Sequence, residues 1–103
     1  DSFKEFKNDF KKVACAYYFV ELVDKLTPEN QENREVYELL RDYLKSLSIA
    51  DIGKLTLSFE NNLLKILGFG VPGDIKNKPS RMTDYIESIT ERKINSRRMK
   101  RGQ

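Results

Sequence analysis

The sequence predicts an all-α domain of about four to five helices around a central N-terminal helix. Three observations lead there. Apolar residues recur at spacings of three and four in successive segments, no stretch keeps the alternation of a half-buried strand, and chain-breaking residues fall between the segments. The chain has 103 residues, 39% hydrophobic and 34% charged, enough to bury one core without metal or disulfide staples. Residues 1–103 therefore read as one domain, and the start at Asp1 with an immediate helical pattern reads as a domain cut from a longer protein.

Ser2 and Glu5 have the spacing of a capping box, and Phe3, Phe6, Phe10, Val13, Tyr17 and Val20 follow at intervals of three and four. Between Val13 and Val23 the apolar residues spread around most of the helix, as expected of a strut surrounded by others. Thr27-Pro28 ends this first helix, because proline lacks the N–H that the next turn needs. Glu29 to Arg34 is then a polar connector. Val36, Leu39, Leu40, Tyr43, Leu44 and Leu47 make one apolar face of a second helix, expected to pack on the first.

Asp51 can cap a third helix with Ile52, Leu55, Phe59, Leu63, Ile66 and Leu67 inside, and Gly68 ends it as a left-handed cap. Residues 68–80, with three glycines, two prolines and Asn77, form the one long loop. A fourth helix starts near Ser80 or Thr83 and runs through Tyr85, Ile86 and Ile89 toward Lys93. Ile94-Asn95-Ser96 is expected to begin a turn or a short final helix.

No apolar run approaches the roughly 20 residues of a membrane span, and the first residues are neither basic nor apolar like a signal peptide. A cytoplasmic setting without membrane contact is expected. The chain has no His and one cysteine, Cys15, so neither a zinc site nor an internal disulfide is expected, and Cys15 reads as a small core residue. Carboxylate pairs such as Glu35/Glu38 and Asp84/Glu87 come without a sign of a cleft, and Gly68-Phe69-Gly70 lacks the rest of a phosphate loop. No cofactor, no metal and no enzymatic activity are expected.

The net charge of +3 is unevenly spread. From Glu91 to Gln103 six basic residues, Arg92, Lys93, Arg97, Arg98, Lys100 and Arg101, face one acid, for +5, and the rest of the chain carries −2. The basic tail over 92–103 is thus the part that can attract a polyanion, such as single-stranded DNA, or it is a solvated end.

Four segments carry a resemblance to a known family. Ala16-Tyr17-Tyr18-Phe19-Val20-Glu21-Leu22-Val23-Asp24-Lys25-Leu26 and Val36-Tyr37-Glu38-Leu39-Leu40-Arg41-Asp42-Tyr43-Leu44 are similar to the first two helices of the C-terminal domain of the recombination mediator RecO. Phe59-Glu60 followed by Leu63-Leu64-Lys65-Ile66-Leu67-Gly68-Phe69-Gly70 resembles the family's Phe-Glu, Leu-rich turn and Leu-Gly-aromatic-Gly. Arg92-Lys93-Ile94-Asn95-Ser96-Arg97 resembles its closing Lys-x-Leu-Lys-Ser-Arg motif. Three features of the family have no counterpart in these residues. They are the N-terminal OB-fold, a cysteine cluster after the turn, and an arginine just before the Phe-Glu pair, where Leu57 or Ser58 stands.

The resemblance implies a nucleoid-associated role in DNA repair and recombination. It implies support for recombinase loading and strand annealing through contacts with RecR, single-stranded DNA and the C-terminal tail of single-strand-binding protein. It puts the groove for that tail beside the third helix, with Leu67 carried over. Phe69, on its glycine-flanked turn, is a further candidate contact, and Lys65 and Lys54 are candidates for the tail's acids. Periodicity by itself puts Leu63, Leu64, Ile66 and Leu67 in the core and Phe69 in a cap contact. Two other functions fit the residues: a stand-alone basic nucleic-acid-binding module, and a purely structural helical domain of a larger protein.

Overall fold

The computed structural model describes the backbone of residues 2–27, 33–47 and 51–101, and the side chains of 7–27, 33–47 and 51–92. Four helices are present among them, α1 (Ser2–Leu26), α2 (Arg34–Ser46), α3 (Ile52–Ile66) and α4 (Pro79–Arg101), and no strand. The all-α class is as the periodicity predicts. The chain divides into two compact units, Asp1–Val71 and Pro72–Gln103, with the boundary inside the expected loop.

In the first unit α1, α2 and α3 each pack on the other two. Each contributes one ring to the centre. Phe19 of α1 stacks on Phe59 of α3 at 4.1 Å between centroids, and Tyr43 of α2 meets both edge-on, at 6.3 and 5.4 Å. These offset and edge-to-face arrangements suit the ring quadrupoles. Around them Cys15, Leu22, Val23, Leu26, Val36, Leu47, Leu63 and Leu64 are buried. Cys15 is the core residue its surroundings suggested, with Sγ 3.4 Å from Thr56 Oγ1.

The helix ends follow from local chemistry. Asn33 caps α2, its side chain accepting from Val36 N at 3.2 Å, and Asp51 caps α3, accepting from Lys54 N at 3.1 Å. Both satisfy N–H groups that the first turn leaves without intrahelical partners. α1 stops at Leu26, where Thr27 bonds the Val23 carbonyl through both its N–H and its hydroxyl. The Ser2/Glu5 capping box lies outside the described side chains.

The structure corrects the reading of α1 as a surrounded strut. Phe10, Val13, Tyr17 and Val20 are 65%, 54%, 73% and 47% exposed, whereas Cys15, Phe19, Leu22, Val23 and Leu26 are buried. Tyr17 and Phe19 are two residues apart, about 160° around the axis at roughly 100° per residue. The helix thus carries two apolar stripes, and only the one that meets Phe59 and Tyr43 enters the core.

In the second unit the chain turns through Ile75, whose N–H donates to Pro72 O at 3.1 Å, and Lys78 N donates to Ile75 O at 3.0 Å. α4 begins at Pro79, a first-turn position that needs no N–H, and Met82 N donates to Lys78 O at 2.9 Å. Ile75, Met82, Ile86 and Ile89 are buried. A second correction concerns Ile94-Asn95-Ser96, where the helical backbone continues unbroken to Arg101. Asn and Ser cost only fractions of a kcal/mol in a helix, about 0.5, and the neighbouring Arg, Lys and Met favour it.

Candidate partner-binding site

The end of α3 is set by a pair of reversed hydrogen bonds. Gly68 takes φ of +83°, its N–H donates to Lys65 O at 3.1 Å, and Phe69 N donates to Leu64 O at 3.0 Å. This is a Schellman motif, which satisfies the last carbonyls and turns the chain sharply away. The left-handed position is why a glycine stands there. Phe69 is half-buried at the position where such motifs place an apolar contact back onto the helix, and Leu67, the last residue before the turn, is half-buried too.

Lys54, Ser58 and Lys65 are exposed, at positions that recur on one face of α3. Lys54 and Lys65 are eleven residues apart, about 16 Å along the axis at roughly 1.5 Å per residue. Leu67 lies on the face of Thr56, Glu60 and Leu63, about 160° around from Lys65. The structure therefore puts Leu67 and Phe69 at the helix end, with Lys65 two residues before Leu67 on the opposite side of the axis, and leaves Lys54 at the other end. At the place where the resemblance has an arginine, the Ser58 hydroxyl is 2.6 Å from the Tyr43 hydroxyl, which also accepts from Asn62 Nδ2 at 2.7 Å. An uncharged hydroxyl cluster thus occupies the middle of the face that Lys54 and Lys65 flank.

Arg92 is exposed, and its Nε donates to Ser88 O at 3.4 Å. The side chains of Lys93, Arg97, Arg98, Lys100 and Arg101 lie outside the described residues, though their backbone belongs to α4.

One polar pair escaped the sequence reading. The Tyr18 hydroxyl donates to Glu60 Oε2 at 2.6 Å across the α1/α3 contact, and Glu60 is only 3% exposed. Burial pushes the Tyr18 phenol well above its ordinary value, and the Glu60 hydrogen bond and negative charge push the same way. Burial also raises the Glu60 carboxyl, outweighing the Tyr18 hydrogen bond, which lowers it. Tyr18 thus remains a phenol that donates to a carboxyl group held out of water. A glutamate within the apolar register of α3 was the available signal; its partner, 42 residues away, was not.

Among the described residues no three His, Cys, Asp or Glu gather as a metal site, and no helix is long and apolar enough to cross a membrane. Fold and site together define a small helical domain whose third helix ends in a glycine-capped apolar turn. The family model described as "Recombination protein O C terminal" matches residues 7–74, from α1 through that turn. The chain belongs to this family. It is 36% identical over 70 residues to a DNA repair protein RecO of Roseiflexus sp., covering 67% of this chain and 25% of that protein. It is 32% identical over 80 residues to a DNA repair protein RecO of Clostridium acetobutylicum, covering 76% and 32%. With a DNA repair protein RecO of Aromatoleum aromaticum the figures are 29% over 77 residues, 75% and 32%. The chain spans about a quarter to a third of the length of the curated relatives it matches. No solved structure matches it significantly.

Proposed function

We propose that this chain is the partner-contacting helical domain of a DNA-repair and recombination mediator, acting by binding and not by catalysis. The observation that carries the reading is the family match over residues 7–74, the stretch that holds the α3 turn. The relatives are by name DNA repair proteins. In this reading the domain supports recombinase loading and strand annealing, with RecR and the acidic, apolar tail of single-strand-binding protein as protein partners. The tail docks at the end of α3, its apolar end on Leu67 and Phe69 and its acids passing around the helix end to Lys65 on the other side, with Lys54 reached only by a peptide long enough to run the length of the helix.

The test is a titration of the labelled tail peptide against the chain, followed by anisotropy. Binding that weakens in Phe69→Ala, with helicity unchanged, supports the placement. Unchanged affinity in the folded variant rejects it. Leu67→Ala is the poorer test because the residue also packs.

The +5 charge of residues 91–103 favours a second, weak contact with single-stranded DNA through Arg92, Lys93, Arg97, Arg98, Lys100 and Arg101. With all six engaged, the logarithm of affinity falls with the logarithm of salt at a slope of about −4, from roughly −0.7 per phosphate. Removing residues 96–103 abolishes this binding if the tail carries it. Equal binding by the truncated chain refutes the tail contact and leaves the protein-partner reading in place.

A further inference from the structure

We propose that the outward stripe of α1 is a self-association seam, pairing with the same stripe of a second copy of this chain in antiparallel register. Phe10, Val13, Tyr17 and Val20 are all about half exposed or more and lie along one line of the helix. Contiguous aliphatic and aromatic exposure of this kind marks contact surfaces. Their spacing is strictly three, four, three, and the sequence extends it back through Phe6 and Phe3, whose side chains lie outside the described residues. That is the 3.5-residue repeat of a two-helix seam, and helices that keep it wind around a partner. The core of the first unit uses the opposite stripe, so pairing here requires no rearrangement of Phe19, Phe59 or Tyr43.

The residues beside the seam choose the occupant and its direction. One edge carries Lys7, Ala14 and Glu21. In an antiparallel pair these edge positions face their own kind. With Phe10 opposite Val20 of the second copy and Val13 opposite Tyr17 of the second copy, each layer sets a ring against a valine. The same alignment brings Lys7 to Glu21 of the second copy, twice by symmetry, with Ala14 against Ala14 at the axis. A parallel pair stacks Phe10 on Phe10 and Tyr17 on Tyr17, and sets Asp9 and Glu21 against alanines. Sliding the antiparallel pair by one heptad sets Lys7 against Ala14. Along the Lys7, Ala14 and Glu21 edge the first alignment alone of the three matches shape and charge together; on the other edge Asp9 faces Val23 of the second copy, which its own core buries.

Glu21 also pairs with Lys25 of its own helix at 2.8 Å, both exposed, and Lys7 too has an interaction within its own chain, so the intermolecular ion pair fixes direction more than affinity. Affinity comes from the apolar layers. With a buried aromatic contributing roughly 150–250 Å², the seam covers on the order of 1,000 Å², the low end for a specific interface, as in a reversible dimer.

Sedimentation equilibrium of the chain across the micromolar range reads the proposal directly. The expected result is a concentration-dependent rise to twice the monomer mass, lost in Val13→Lys and in Tyr17→Lys while far-ultraviolet circular dichroism stays unchanged. A chain that remains monomeric throughout overturns it, and leaves the stripe to another protein or another part of a longer chain. Dimers that persist in both variants overturn it equally. Direction is read by oxidising Lys7→Cys and Glu21→Cys separately and mixed, Cys15 being buried. The antiparallel seam cross-links the mixture and neither variant alone; cross-linking of each variant with itself refutes the register.

Discussion

Replacing Tyr18 by Phe removes one hydroxyl and leaves the ring, so the lost free energy reports on the bond to Glu60. That bond is 2.6 Å long and its acceptor is 3% exposed. A hydrogen bond to a charged group contributes about 1.5–3 kcal/mol, and a buried acceptor left without a donor forfeits most of it. The expected loss is therefore about 2 kcal/mol where Glu60 is ionised. Where Glu60 is protonated the bond is neutral, and the loss falls to about 1 kcal/mol.

Glu60→Gln keeps an acceptor for Tyr18 and removes the ionisation. The folded-state pKa of Glu60 lies above its ordinary value. Its contribution to stability is therefore fully present below the ordinary carboxylate pKa and is lost as pH rises through the raised folded value. The wild-type chain should lose stability relative to Glu60→Gln across that window and stay level above it. Tyr18→Phe takes away the interaction that lowers the Glu60 pKa, so in that variant the window extends further upward. Urea unfolding followed by far-ultraviolet circular dichroism at a series of pH values, on both single variants and the double, completes the cycle. A Tyr18→Phe loss below about 0.5 kcal/mol at neutral pH, the range of an ordinary surface change, or a pH dependence identical in Glu60→Gln and wild type, would falsify this account.

Three further outcomes follow from the geometry. Gly68→Ala should cost about 1–2 kcal/mol from its left-handed backbone alone, because an added Cβ meets nothing within 4 Å; a smaller loss in Gly68→Asn, read from the same unfolding curves, separates backbone strain from packing. Phe59→Ala should cost about 3–5 kcal/mol and leave little cooperative unfolding, whereas Phe10→Ala should stay within about 0.5 kcal/mol at concentrations where the chain is monomeric. Ser58→Arg adds a cation between Lys54 and Lys65 at the expense of the Tyr43 contact, and should tighten binding of the acidic tail peptide several-fold in low salt; peptide titration at two salt concentrations checks it.

The helices of the first unit were legible because each puts apolar residues at helical spacing between strong punctuation: Thr27, Asp51 and Gly68. The turn after α3 was readable for the same reason, since glycine suits that left-handed backbone better than any other residue. Which stripe of α1 faces inward was not readable, because both are apolar and periodicity does not say which one its neighbours cover. Asn95 and Ser96 misled as turn formers, their weak helix preference being outweighed by the residues around them. Glu60 and Tyr18 find each other only through the register of α1 on α3, which no local pattern encodes. For the candidate site, Gly68 marks the end of α3 and so puts Leu67 and Phe69 beside it, but the distance of Lys54 from them required the helix to be built.

The three-ring centre of the first unit has a consequence for how the domain forms. α2 has 13 residues and α3 has 15, lengths at which an isolated helix in water is marginal even with favourable sequence, about 12–15 residues being the threshold. Phe19, Tyr43 and Phe59 each come from a different helix, so any two helices brought together lack a third of the cluster. A fragment ending after α2 holds α1, whose 25 residues exceed that threshold, but lacks the Phe59 ring on which Phe19 and Tyr43 pack, so its α2 should be the part open to proteases. The packed core is complete only when α3 brings Phe59 to the other two rings.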